Sequence, residues 1–463
     1  MIGRSFDLRF WLILASLGVL LALIVLVGSL AGLATPRLVP ASGEIGMAGP
    51  LTLLFPEPMQ PESVEVRLDF DPPLSGRYVW RSQDGRPERM VSFWPDKPLQ
   101  PGQSYVVRLA AGALSQSGLM LRQAAAWQVK IRPPEVLYLA PTASPELWRV
   151  APGSALPVQL THTGGAVFDY DVSPDGQEII YSAYNEQSGV DLWQIRREGG
   201  EPQLLLPCQS DWCINPAYAP DGWTIAYSRR KSGAAPGEGP GVPRIWLIDL
   251  ATRATDILFS NPGVGGHDPD WSPDGRYLAF FDDLSGGIRV LDVAAQTDFL
   301  LPSLMGMSGA WSPDSRYLVF TDTILTNSGP YVAVYIVDVQ TQETQRILAD
   351  DFDQVDYSSP VWTVDGDGLV AALRLMTGSP TRQLWLISLD LESGLEREER
   401  LAITDDQLFT HASHHWDPAG ENLVYQRLEI GSASPIPQVN VWNRASQEAL
   451  ILATDAFQPR WIP

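Results

Sequence analysis

The feature that most constrains this chain is a ten-residue phrase. It stands most plainly as Trp271-Ser272-Pro273-Asp274-Gly275-Arg276-Tyr277-Leu278-Ala279-Phe280 and returns as Trp311-Ser312-Pro313-Asp314-Ser315-Arg316-Tyr317-Leu318-Val319-Phe320. Weaker copies lie at 172–181, 218–227, 362–371 and 416–425. Each copy encodes a strand, a tight turn and a second strand. Pro presets φ for the second position of a type I turn, Asp tolerates the next position, and Gly supplies the left-handed residue on which the chain reverses. The flanks are aromatic or β-branched, as strands prefer. A unit repeated in this way specifies an array in which each copy buries its apolar face against the next.

Three strand types recur from Glu135 onward, each seven times. The Trp-Ser-Pro type runs from 168–174 to a last copy at 459–463; the apolar type after the turn begins at 136–140; a Leu-Trp-x-Ile type begins at 147–150. The array opens on the second type at Val136 and closes on an orphan copy of the first at Trp461. Ring closure requires that offset, since the last strand completes the sheet that the first residues began. A ring also hides the sheet edges that a solenoid must cap. At about 47 residues per unit, the spacing suits a four-stranded blade. The expected fold is all-β, with a seven-bladed β-propeller over 135–463 and six or eight blades as the alternatives.

The repeat resembles the PD40 or TolB-type, WD40-like propeller unit, in which Pro-x-Trp-Ser-Pro-Asp-Gly leads into an apolar strand and then a Leu-Tyr-Val-x-Asp strand. The resemblance implies a fold rather than one function. The same repeat occurs in periplasmic interaction proteins, in sugar-degrading lyases and in the propeller of prolyl-oligopeptidase-like peptidases. Those peptidases add an α/β-hydrolase domain with a Gly-x-Ser-x-Gly elbow. Here the ring closes at Pro463, so peptidase activity is not expected.

Between Arg9 and Arg37 no residue is charged, and Phe10 to Leu33 is almost entirely apolar. As a helix this stretch would span about 36 Å, enough for a bilayer core of about 30 Å. The reading is a short cytoplasmic tail over 1–9 and a signal-anchor helix over 10–34, with a cleaved signal peptide as the alternative. Arg4 and Arg9 before the span favour the N-terminus inside, which leaves the bulk of the chain extracytoplasmic at the cell membrane.

From 38 to 133 the texture changes to short strands between Pro and Gly turns, expected at 51–55, 64–70, 76–80, 90–94, 104–110 and 126–131. This pattern argues for a β-sandwich. Phe55-Pro56-Glu57-Pro58-Met59, Phe93-Trp94-Pro95, the run Pro98-Leu99-Gln100-Pro101-Gly102-Gln103-Ser104-Tyr105 and Gly118-Leu119 resemble the bacterial Ig-like domains of surface proteins. That resemblance implies a spacer or adhesive module without catalytic residues.

The 32 basic and 54 acidic residues give a net charge of −22, which repels phosphate backbones and anionic headgroups and argues against nucleic acid as a partner. Cys208 and Cys213 have no further Cys or His close in sequence to complete a zinc site. A local disulfide is the preferred reading if this region lies outside the cytoplasm, and a pair of free thiols is the alternative.

The unusual polar residues gather just before the copies of the phrase, in what read as loops entering the innermost strands. They are Asp169 and Asp171, the run from Gly265 to Asp270, Asp353 and Asp356, and the run from His411 to Asp417, holding four of the five histidines. A ring brings equivalent loops to one end of its channel. His267, His411, His414 and His415 with Asp268 and Asp356 are therefore the candidate ligand-binding residues, and a divalent metal is the one cofactor they suggest. The competing reading is that these residues hydrogen-bond neighbouring blades. The turn aspartates, such as Asp274 and Asp314, are explained by turn geometry, and the recurrent Trp residues by packing. The leading expectation is a non-catalytic, membrane-anchored binding or scaffold protein for a protein or a cell-envelope glycan. A polysaccharide lyase or hydrolase with a His/Asp site at the channel rim is the alternative, followed by a sensory ectodomain acting through a partner.

Overall fold

A computed structural model describes residues 33–463 except 84–85, 155, 234–238, 327–328, 349–354, 377, 379 and 391–394. The expected anchor over 10–34 lies outside the described residues but for Leu33 and Ala34. Among the described residues no helix is long and apolar enough to cross a membrane. The chain divides into two compact units, the first drawn from residues up to 131 and the second containing 132–463.

The first unit holds two four-stranded sheets. One orders the strands Arg37–Val39, Leu51–Leu54, Arg86–Pro95 and Gly76–Gln83; the other Glu44–Ile45, Ala125–Ile131, Ser104–Leu109 and Leu68–Asp71. Phe70 of one sheet meets Phe93 of the other at 4.2 Å between ring centroids, and Leu53, Val91, Val107 and Val129 are buried around them. The strand expected over 64–70 is corrected. Pro61–Glu65 is a helical turn with Pro at its start and Glu62 in its first turn, and the strand begins only at Leu68. Pro at the first helical position and an acidic residue in the first turn both favour that outcome.

The second unit is built from four-stranded antiparallel sheets, of which seven are paired among the described residues. Taken in chain order, the first strands of sheets two to seven are Val167–Val172, Trp212–Tyr218, His267–Trp271, Ala310–Trp311, Val355–Trp362 and Phe409–Trp416. Sheets two and three are linked in the strand ladder by one parallel bridge, Val190 to Trp212. The first sheet takes its innermost strand from the other end of the chain: Phe457–Ile462 pairs antiparallel with Glu135–Ala140, with Trp461 opposite Val136. The apolar runs after each turn become the second strands. Tyr277–Asp282 is buried at every position, as a strand covered on both faces must be.

The turn behaves as its residues dictate. Ser272 Oγ donates to Asp274 Oδ1 at 2.6 Å and accepts the Tyr277 N–H at 2.9 Å, while Gly275 takes φ +74°. Ser312 repeats the arrangement with the Tyr317 N–H at 2.8 Å. The turn aspartates are thus tied to their own turns.

Candidate functional site

The polar residues expected in loops lie within the first strands themselves. His267, Asp356, His411, His414 and His415 all occupy strand positions. The reason is a β-bulge, an extra residue that breaks the alternation and hides the strand from a period-two reading. Bulges interrupt the first strands of sheets one, two, three, four, six and seven. In five of them the third residue before the Trp, or before the residue in its place, has a left-handed φ of 47–54°: Asn215, Asp268, Ser359, Ser413 and Gln458. Asn and Asp tolerate that conformation best, which accounts for polar residues at this point.

This row also clamps neighbouring sheets. Asp169 Oδ2 accepts the Asn215 N–H at 2.6 Å, and Asp268 Oδ2 accepts the Ser308 N–H at 3.1 Å. In both cases the carboxylate of one sheet meets the equivalent backbone of the next. Burial pushes Asp169 up to about 6, against the pull of Ser182 and the Asn215 N–H. The Trp row does likewise: Trp311 donates to the Asp270 carbonyl, Trp362 to that of Ala310 and Trp461 to that of His415, at 2.9–3.2 Å.

The row immediately before the Trp is different. It reads Arg460, Asp171, Ala217, Asp270, Ala310, Val361 and His415 from the first sheet to the seventh, and all seven are at least partly exposed while most of the residues preceding them are buried. The charge of Arg460 reaches three others of this row, Asp171, Asp270 and His415. These four are the row's polar members; Ala217 stands between the two aspartates, and Ala310 and Val361 stand on adjoining sheets. Arg460 Nη1 bonds Asp171 Oδ1 at 2.8 Å, and Asp171 Oδ2 accepts the Tyr218 N–H at 2.7 Å. The Asp270 carboxylate and the His415 imidazole make no hydrogen bond among the described residues. Burial, reinforced by Asp268 and Asp171 and opposed by Arg460, pushes Asp270 up to about 7. Burial, then Arg460 and His414, push His415 down to about 3.

The remaining candidates are engaged by neighbours. His267 bonds Asp283 Oδ2 at 2.9 Å through Nδ1 and the Gly306 carbonyl at 3.1 Å through Nε2. Asp356 is buried: its Oδ2 accepts Arg374 Nη2 at 2.8 Å and Arg382 Nη2 at 2.9 Å, and its Oδ1 accepts the Val332 N–H. His411 donates from Nδ1 to the Arg382 carbonyl at 2.9 Å, and burial lowers its pKa. His414 faces the Val370 carbonyl at 3.2 Å, and burial pushes it down to about 4. Asp353 lies outside the described residues. Among those described, no three His, Cys, Asp or Glu side chains are grouped to hold a metal ion. Cys208 and Cys213 are joined in a disulfide. Arg460, Arg374 and Arg382 were missed in the sequence. For Arg460 the signal was its place directly before a Trp of the repeat.

No protein-family model matches the chain. Among curated proteins, the Tol-Pal system protein TolB of Alcanivorax borkumensis is 31% identical over 104 residues, 22% of each chain. The propeller is TolB-like. An uncharacterized protein of Agrobacterium fabrum is 25% identical over 130 residues, 27% of this chain and 43% of its own length. The chain thus spans from about a fifth to under half of the curated relatives it matches. Among solved structures, TolB from Acinetobacter baumannii is 18% identical with a TM-score of 0.40, covering 72% of this chain and 83% of that one.

Proposed function

We propose that this chain is a membrane-anchored, extracytoplasmic scaffold whose propeller, read as a closed ring of seven blades, binds a protein partner. In this reading residues 10–34 anchor it, and the two-sheet unit is an Ig-like spacer. The observation that carries the reading is the use made of the first-strand polar groups. Asp169, Asp171, Asp268, Asp356, His411 and His414 are bonded to backbone or guanidinium groups, mostly across sheet boundaries, so they stiffen a ring whose ends are left to recognition. The TolB-like character supports a protein as the partner. Chemical crosslinking of the full chain in its own cells, followed by identification of what it holds, tests the proposal.

A second reading is favoured by one observation. Among the described residues the side chains of Asp270 and His415 have no hydrogen-bond partner, and a carboxyl pushed up to about 7 is suited to general acid–base work. Turnover of a cell-envelope glycan that is lost in Asp270→Asn while the fold is intact would select this reading; a chain inert toward such glycans would reject it.

A further inference from the structure

The carboxylate of Asp356 was a candidate ligand in the sequence, and its surroundings reverse that role. Arg374 and Arg382 both direct Nη2 to the same oxygen, Oδ2. The three side chains together carry one net positive charge, in a chain whose total is −22. Asp356 is 3% exposed, whereas the arginine side chains are 36% and 34% exposed, so it is the cationic part that meets solvent. No other hydrogen bond of either guanidinium is made among the described residues, and both Nε atoms are buried without partners.

The pair is held in place from both sides. Arg374 sits opposite Asp356 in the strand register. Arg382 donates its N–H to Thr410 Oγ1 at 3.2 Å and accepts the His411 N–H at 3.0 Å, both from the first strand of the seventh sheet. Guanidiniums fixed in this way lose little freedom when they bind a carboxylate.

The same end of the propeller carries exposed apolar side chains. The first strands begin here and the second strands finish here, as the pairs Val355–Leu375 and Phe409–Glu429 require. At this end stand Leu325 on the fifth sheet, Leu375 and Met376 on the sixth, and Leu408 leading into the seventh, at 82%, 56%, 42% and 63% exposed. Large apolar side chains gathered at one rim mark an interaction surface more often than chance exposure does. An Arg among apolar anchors is typical of the residues that dominate binding.

We infer that this rim, over sheets five to seven, docks a protein segment that presents a carboxylate between apolar side chains. Charge complementarity at the two guanidiniums selects the occupant: a lysine there would meet the net positive charge of the Arg374–Asp356–Arg382 group, while the carboxylates of this rim, Asp406 at the Leu408 N–H and Glu429 opposite Phe409, leave these guanidiniums as the place for an acidic side chain. The inference rests on the scaffold reading and specifies where and what it binds.

The test uses the full chain in detergent and a blocked, fluorescein-labelled peptide of alternating leucine and glutamate, with counterparts carrying glutamine or lysine for glutamate. The glutamate peptide should bind about tenfold more tightly than either counterpart, and added salt should weaken it. Arg374→Gln should lower the affinity by a similar factor. Because that change also exposes a buried carboxylate to loss of a partner, Met376→Ser and Leu408→Ser provide variants that leave Asp356 untouched, and each should weaken binding. Equal binding of all three peptides, binding of none, or full affinity in both serine variants overturns the inference. Photocrosslinkers placed at Met376, Leu408 and the outer-strand Leu300 separate it from the broader reading. A protein captured only through Leu300 refutes this docking site and leaves the scaffold standing, whereas no protein at any position refutes both.

Discussion

Arg460 Nη1 lies 2.8 Å from Asp171 Oδ1, joining the chain's last strand to the second sheet across 289 residues of sequence. The bond adds a charged clasp beside the strand pairing at the seam. Asp171 retains the Tyr218 N–H when Arg460 is removed, and the Arg460 side chain is 48% exposed. Arg460→Met is therefore expected to cost about 1 kcal/mol, below the range of a buried charged hydrogen bond because solvent screens the half-exposed guanidinium. Asp171→Ala, which also strands the Tyr218 N–H, should cost about 2–3 kcal/mol. Thermal melts of the two variants and the double variant check this, and the double should lose less than the sum of the singles.

Asp270 makes stability depend on pH with a definite sign. Its folded pKa is raised from 3.8 to about 7, so between those values the folded chain holds a proton that the unfolded chain has released. Its contribution to stability therefore falls as pH rises from about 4 to about 7. His414 and His415 act in the opposite sense. Their folded values of about 4 and about 3 lie below the ordinary 6.5, so stability is lost as pH falls below about 6.5. Above that pH the imidazoles no longer contribute a slope. Melting curves from pH 5 to pH 8 should show Asp270→Asn gaining on the parent chain, with the advantage greatest at the alkaline end. A constant difference across the range would contradict the assignment.

Each copy of the repeated turn should depend on its serine. Ser272 and Ser312 each use one hydroxyl to accept an N–H and to hold the turn aspartate. Ser272→Ala and Ser312→Ala should each cost about 1 kcal/mol. The two turns are joined by the Asp274 N–H, which donates to Ser315 Oγ at 3.0 Å, so the double variant should depart from the sum of the singles, which denaturant titration measures.

Reduction of the Cys208–Cys213 bond opens a loop with a sequence separation of only 5. Closing so short a loop is worth about 2 kcal/mol in the chain-entropy account. A reductant should lower the melting temperature by a few degrees and leave partner binding at the Arg374 rim unchanged.

The strand order and the pairing of Trp461 with Val136 were legible because turn chemistry and period-two burial are local properties. The phrase at Trp271 carries its own turn, and the orphan at Trp461 carries the closure. The candidate site was legible only in part. Asp268, Asp356, His411, His414 and His415 stand out as residue types, but whether a carboxylate faces solvent, a neighbour's N–H or two guanidiniums depends on residues far off in sequence. Asp356 shows this most clearly, since Arg374 and Arg382 reach it from the next strand and from the loop beyond. The helical turn at Pro61–Glu65 was missed because Val64 and Val66 look like strand residues, while Pro61 and Glu62 decided the local conformation.

The most direct measurement of the central claim is crosslinking of the full chain in its own cells, with the linked peptides mapped by mass spectrometry. The account predicts one recurrent protein partner whose links fall on an end of the propeller, at near-stoichiometric yield. Absence of any protein linked to the propeller, with a glycan that the purified chain turns over and the folded Asp270→Asn variant does not, would contradict it.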